Sequence, residues 1–200
     1  MQASFIPMES ELKKNGFLIV AGMDEAGRGP LAGPVSCAAV ILKENSKIPG
    51  LNDSKKLSKK QREKLFEIIL KNVIDYSVVL VSHVLIDKIN ILNAVKLGNK
   101  ICIESLKTKP DIVLIDGRDK QILNIPHKTI IRGDEKIRCI AAASILAKVV
   151  RDKVMKKYAK EYRKYGFEKH MGYGTRIHRG NIIKFGPCPI HRKSYSFKAV

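Results

Sequence analysis

A short apolar run that stops on two adjacent acids constrains this chain more than any other feature. Leu18 to Met23 is apolar and of strand length, and Asp24-Glu25 closes it. Gly27, Gly29, Pro30, Gly33 and Pro34 then punctuate a turn before a second apolar run, Val35 to Leu42. Apolar runs of this length bounded by glycine and proline read as buried strands, and two runs joined so closely pair as a hairpin. The chain must therefore build a sheet whose first turn carries charge.

The rest of the pattern alternates helix and strand. Ser58 to Val73 reads as a helix, with Ser58 as N-cap and Leu65, Phe66, Ile69 and Val73 at helical spacing. Tyr76 to Val81 is a third strand, Asn90 to Leu106 a helix closed by Pro110, Ile112 to Ile115 a short buried strand, and Thr129 to Ile131 another. Asp134 to about Tyr165 reads as one long helix with Ile137, Ile140, Ala141, Ile145, Val149 and Met155 on its apolar face, and Arg176 to Phe185 as a last one. Residues 1–16 show no pattern and are read as loose. The early strands suit an antiparallel meander and the later ones parallel additions across helices, giving an α/β domain with a mixed sheet.

With 200 residues, 44% of them apolar, the chain has material for one sizeable core. No stretch approaches the roughly 20 apolar residues of a membrane span. Phe17 to Ala21 is too short for the core of a signal peptide, so a cytoplasmic location is expected. Cys37, Cys102, Cys139 and Cys188 lack paired spacing and read as idle thiols, neither disulfide framework nor zinc site. The formal charge of +19 is uneven: residues 132–200 hold 18 Lys+Arg against 5 Asp+Glu, and residues 1–131 hold 20 against 14. A polyanion partner is the physical expectation, because phosphate contacts release condensed counterions. A lysine-rich solvated surface is the ordinary alternative.

Against that basic background, acids at element ends stand out. Asp24 and Glu25 close the first strand, Asp116 closes the fourth, and Asp134 begins the long helix. Carboxylates so placed can surround Mg2+ or Mn2+, hard ions that take oxygen ligands. Taken singly, each has a plain structural role: a polar strand end, an Asp-Gly turn, a helix N-cap. Only a fold that brings them together makes them a site.

Four ordered segments resemble the type 2 ribonucleases H, and within them bacterial ribonuclease HII. They are Gly22-Met23-Asp24-Glu25-Ala26-Gly27-Arg28-Gly29-Pro30-Leu31-Ala32-Gly33-Pro34-Val35, Leu51-Asn52-Asp53-Ser54-Lys55-Lys56-Leu57-Ser58, Val113-Leu114-Ile115-Asp116-Gly117, and Gly133-Asp134 continued by Ala143-Ser144-Ile145-Leu146-Ala147-Lys148-Val149-Val150-Arg151-Asp152. Gly172-Tyr173-Gly174-Thr175 also fits. The resemblance implies a ribonuclease H-like fold, a five-stranded mixed sheet flanked by helices, with a helical C-terminal segment at about residues 166–200 that binds substrate, all within one catalytic domain. It implies cleavage of RNA in RNA–DNA hybrids and at ribonucleotides embedded in duplex DNA, by two-metal-ion catalysis with Mn2+ or Mg2+, leaving 5′-phosphate and 3′-hydroxyl ends.

By the same resemblance Asp24, Glu25, Asp116 and Asp134 are the catalytic metal ligands, and Gly27, Arg28, Gly29 and Tyr173 read the ribose at an RNA–DNA junction. Lys55, Lys56, Ser144 and Lys148 are candidate phosphate contacts, the last two four residues apart on one helix face. A tight turn for the glycines and core packing for Tyr173 are the structural alternatives. Arg118-Asp119, after Asp116-Gly117, departs from what relatives often carry and receives no role. His178 and His191 lack metal spacing and receive none either. A single chain acting alone is the default. Two rivals remain: a basic, non-catalytic nucleic-acid-binding module, and another metal nuclease of the same fold.

Overall fold

The structure is a computed structural model and describes residues 5–197. Seven helices and five strands follow in the order α1 (Met8–Lys14), β1 (Val20–Ala26), β2 (Val35–Leu42), α2 (Lys59–Lys71), β3 (Val73–Val81), α3 (His83–Glu104), β4 (Ile112–Asp116), β5 (His127–Ile130), α4 (Gly133–Lys136), α5 (Arg138–Glu161), α6 (Phe167–His170) and α7 (Arg176–Phe185), with short 3-10 turns at Ser54–Lys56 and Arg163–Tyr165. The sheet runs β3-β2-β1-β4-β5. The first three strands pair antiparallel, while β1–β4 and β4–β5 are parallel. This is the mixed sheet read from the residue pattern, with the five strands that the family resemblance implies.

Each face of the sheet is covered. Ala38 and Val40 of β2 pack with Leu65, Phe66 and Ile69 of α2 and with Ala141 to Val149 of α5. Ala21 and Met23 of β1 and Val113 and Ile115 of β4 point the other way, onto Ile86, Val95 and Cys102 of α3. The period of two along each strand sorts these sets. Gly22 marks the closest approach of β1 to α5: a Cβ there would fall 2.6 Å from Cys139 O and overlap the Cys139–Ile140 peptide. The missing side chain lets α5 lie directly on the strand that carries the acids.

Several elements depart from the sequence reading, three of them for a tertiary reason. Residues 1–16, read as loose, contain α1; its Leu12 is buried, and Glu9 Oε1 accepts the Cys139 N–H at 3.0 Å, satisfying an orphan donor in the first turn of α5. Met1 to Ser4 and Lys198 to Val200 lie outside the described residues. The helix expected from Asn90 begins at His83, capped by Ser82, and bends at Asn90, whose φ is 64° and whose Oδ1 accepts the Asn93 N–H at 3.0 Å. Asn90 is thus an internal cap. The long helix from Asp134 is broken at Ile137, which adopts φ −123°, ψ 127° and buries its whole side chain with Val20, Leu114 and Ile140. The break leaves α4 as a separate turn that aims Asp134 inward. β3 and β5 start earlier than their apolar runs, at Val73 and His127.

All four cysteines are unpaired, as read from their spacing. No helix among the described residues is long and apolar enough to cross a membrane.

Candidate active site

Parallel pairing of β1 with β4 ends at Met23 and Ile115, so the next residues, Asp24 and Asp116, lie side by side where that ladder stops, Asp24 still paired with Ala38 of β2 and Asp116 with Ile130 of β5. α4 brings Asp134 to the same point. One carboxylate oxygen from each of Asp24, Asp116 and Asp134 lies within 4.8 Å of the others. Asp24 and Asp134 are buried and Asp116 is half-buried. Each acid is tied to its surroundings. Asp24 Oδ1 accepts the Glu25 N–H at 2.7 Å, Asp116 Oδ1 accepts the Gly133 N–H at 2.6 Å, and Lys55 Nζ donates to Asp134 Oδ2 at 2.9 Å.

The electrostatics are those of a trap for cations. Burial, then repulsion from Glu25 and Asp116, pushes the Asp24 carboxyl well above the usual carboxylate range, against a hydrogen bond from Ser144. Asp116 is pushed up by burial and by Asp134. Desolvation lowers Lys55, but its hydrogen bond to Asp134 and the charges of Asp134, Asp24 and Asp53 together hold it above its ordinary value. Three oxygen donors with one lysine among them are under-neutralised, and an all-oxygen donor set of this kind fits a hard divalent ion.

Glu25 lines the same cleft but stands apart from the three-oxygen cluster. Adjacent strand residues face opposite sides, and Glu25 Oε1 accepts from Arg28 Nη1 at 3.2 Å. Burial raises its carboxyl and the Arg28 guanidinium partly counters this.

Of the other residues singled out in the sequence, Gly27, Arg28, Gly29, Lys55, Ser144, Lys148 and Tyr173 line this cleft of about 280 Å³. Lys56 does not: it is exposed and meets Glu135 at 3.5 Å. Ser144 Oγ shares a 2.9 Å hydrogen bond with Ser54 Oγ, joining α5 to the 3-10 turn that carries Lys55. Asp53 caps that turn by accepting the Lys55 N–H at 2.8 Å. Lys148 donates to Asp152 at 2.7 Å and sits 5.7 Å from the Tyr173 ring centre. Tyr173 is 42% exposed, so it is not core packing.

Gly27 has φ +105°, and a Cβ there would overlap the Arg151 side chain. The turn it opens is held from below by two fully buried arginines. Arg192 donates to Gly27 O at 2.7 Å, Arg28 O at 2.9 Å and Gly33 O at 3.0 Å. Arg151 donates to Pro34 O at 2.9 Å, Ala32 O at 3.1 Å and Met171 O at 2.9 Å, tying the turn to the segment before Tyr173. Tyr195 Oη adds a 2.7 Å bond to Arg28 O. His178 Nδ1 lies 2.9 Å from Tyr173 O, within a buried group of His170, His178 and His191. Arg151 lies in the segment from Ala143 to Asp152 that resembles the family, but its role is not legible there, and nothing in the sequence separates Arg192 from the many other cations of the basic C-terminal third.

Residues 21–199 match the family model described as Ribonuclease HII. The chain belongs to the ribonuclease HII family. It is 54% identical to the ribonuclease HII of Endomicrobium trichonymphae over 197 residues, covering 98% of this chain and 94% of that relative. It is 52% identical to that of Caldicellulosiruptor saccharolyticus over 192 residues, covering 96% and 94%. The crystal structure of ribonuclease H2 from Pyrococcus horikoshii is similar with a TM-score of 0.77 at 28% identity, covering 90% of this chain and 95% of that one. As a ribonuclease HII family member the protein is a metal-dependent endoribonuclease, a phosphodiester hydrolase with an α/β ribonuclease H fold.

Proposed function

We propose that the protein hydrolyses the RNA strand of RNA–DNA hybrids and cuts at ribonucleotides embedded in duplex DNA, leaving 5′-phosphate and 3′-hydroxyl ends. The observation that carries this is the convergence of Asp24, Asp116 and Asp134 within 4.8 Å, the first two lining a cleft that Lys55, Lys148 and Arg28 also line. Anionic ligands at the centre and cations at the rim suit a cation and a phosphodiester together.

Asp24, Asp116 and Asp134, joined by Glu25 when it leaves Arg28, would hold Mn2+ or Mg2+. When bound, paired divalent ions lower the pKa of the attacking water and stabilise the leaving 3′ oxygen. The residues of the chain do the remaining work. Lys55 and Lys148 offer ammonium groups to phosphates on either side of the cut, and Ser144 a hydroxyl. Lys56, directed to Glu135, serves a more distant phosphate. Gly27 and Gly29 let the backbone approach a sugar closely, and above Gly29 the space is open to 4 Å. A 2′-hydroxyl both donates and accepts, so backbone amides and carbonyls held by Arg192 can distinguish RNA from DNA. Tyr173, half out of the surface, stacks on the sugar of the neighbouring nucleotide. The basic segment from residue 166 tracks the duplex backbone. We read residues 1–200 as one catalytic domain acting as a single cytoplasmic chain.

Three substrates test this: an all-DNA duplex, a long RNA–DNA hybrid, and a DNA duplex with one ribonucleotide, each with Mn2+ or Mg2+ and with excess chelator. Cleavage of the second and third only, and only with metal, is expected. Chelator-resistant cleavage, or cutting of the all-DNA duplex, overturns the reading.

A further inference from the structure

The loop after β4 carries Asp119, to which the mechanism above gives no task. It faces the arginine of the Gly27-Arg28-Gly29 turn. Both Nη atoms of Arg28 approach Asp119 Oδ2 at 2.9 Å, while Nη1 also reaches Glu25. The Arg28 guanidinium therefore sits between two carboxylates, one inside the cleft and one on its rim.

Asp119 is itself anchored. Gln121 Nε2 donates to Asp119 O at 3.0 Å, and Gln121 Oε1 accepts from Asn99 Nδ2 at 3.1 Å. Asn99 is fully buried on α3, and Gln121 is buried against it. A continuous line of hydrogen bonds runs from the helix interior through the loop to the Arg28 side chain. The Arg28 backbone is held separately, by Arg192 and Tyr195 at its carbonyl. One set of contacts fixes the main chain and another fixes the guanidinium.

The arrangement matters because Glu25 has two claims on it. If Glu25 turns to a divalent ion, Arg28 loses that partner, and a long side chain without a partner regains its rotamer freedom. Asp119 is the contact that survives the change. The pair is half-exposed, 41% and 35% at the side chains, so it adds little to folding stability. Its consequence is orientation.

We propose that Asp119 is a positioning residue that sets substrate specificity, holding the Arg28 guanidinium at the cleft rim so that the Gly27-Arg28-Gly29 turn meets the sugar at an RNA–DNA junction in one geometry. This rests on the ribose-reading role proposed for that turn.

The test is a double-mutant cycle on the holoenzyme, with kcat and KM measured on the single-ribonucleotide duplex and on the long hybrid. Asp119→Asn is expected to lower kcat/KM on the single ribonucleotide about fivefold relative to the hybrid, in the range of coupling between residues in contact. In an Arg28→Ala background the same substitution should leave the ratio of the two substrates unchanged. If Asp119 acted only through its charge, its removal would favour binding of both duplexes alike, in both backgrounds. That additive result overturns the proposal. If Arg28→Ala alone leaves the substrate ratio unchanged, the ribose-reading role of the turn falls, and the two failures are told apart. Melting temperatures of all three variants close to wild type confirm that folding is not being read.

Discussion

Replacing Asp24 by Asn should stabilise the metal-free protein while abolishing its activity. With ligand oxygens of Asp24, Asp116 and Asp134 within 4.8 Å of one another, two unit charges at that separation repel by about 3.5 kcal/mol at an effective dielectric near 20. Asp24 takes part in two such pairs. Proton uptake by its raised carboxyl and the Lys55 charge beside Asp134 cancel much of this. What remains is about 1–3 kcal/mol, the usual cost of an uncompensated buried polar group. The Asn side chain keeps the oxygen that accepts the Glu25 N–H, and its amide N–H can donate to the Ser144 hydroxyl that donates to Asp24 in wild type. For a chain of this length the gain corresponds to a rise in Tm of roughly 2–12 °C.

The pH dependence has a definite sign. The folded carboxyl of Asp24 is raised above its unfolded value of 3.8. The folded state then binds more protons than the unfolded state between those two values, and stability falls as pH rises through that window. The advantage of the Asn variant should therefore be largest near neutral pH and shrink as pH falls toward 3.8. Saturating Mn2+ should reverse the order, since a ligand at about 1,000 times its Kd adds about 4.1 kcal/mol to wild type and little to the variant. Scanning calorimetry in chelator and in Mn2+, across pH, reads all three effects. An Asn variant that melts below wild type in chelator, or that gains as much from Mn2+, refutes this account of the cluster.

Gly22→Ala should destabilise by about 1–3 kcal/mol or more, as overpacking does, because the new methyl meets backbone of α5 that cannot rotate away; urea unfolding measures it. Arg192→Met should cost about 1–3 kcal/mol or more, the range for leaving a buried acceptor unsatisfied, and the same unfolding curve would show a small change if the three carbonyls it serves were satisfied some other way. Tyr173→Ala should lower cleavage at an isolated ribonucleotide with little change in Tm, since the ring is already exposed; unchanged activity at the junction counts against its contact with the sugar.

Much of this protein follows from local chemistry. β1 and β2 are bounded by glycines and prolines whose turn-forming role does not depend on the rest of the chain. α7 begins and ends where its cap and apolar spacing place it, from Arg176 to Phe185. Ser58 forms the full capping box with Gln61 from four consecutive residues. The acids at the ends of β1 and β4 are equally visible, because a charged residue closing an apolar run is a feature of neighbouring positions. Where the pattern misleads, burial is non-local. α1 buries only Leu12, with Met8 partly buried against the same cluster, too little for periodicity to register. Ile137 looks like one more apolar position on a helix face, yet its side chain is buried beside Leu114 only if the helix breaks there.

The sequence by itself determined which residues are acidic at strand ends, which turns need glycine, and so which chemistry the chain can support. The tertiary structure decided how those residues meet. Asp134 joins Asp24 and Asp116 because Ile137 interrupts the helix, and Glu25 turns to Arg28 rather than to the three-oxygen cluster. Arg151 and Arg192 are surface-type residues by composition, yet they are fully buried beneath the Gly27-Arg28-Gly29 turn, with all but one of their carbonyl acceptors 117 to 165 positions earlier in the chain. A guanidinium can leave water only where several carbonyls converge on it, and convergence of distant carbonyls is a property of the folded chain, not of any segment within it.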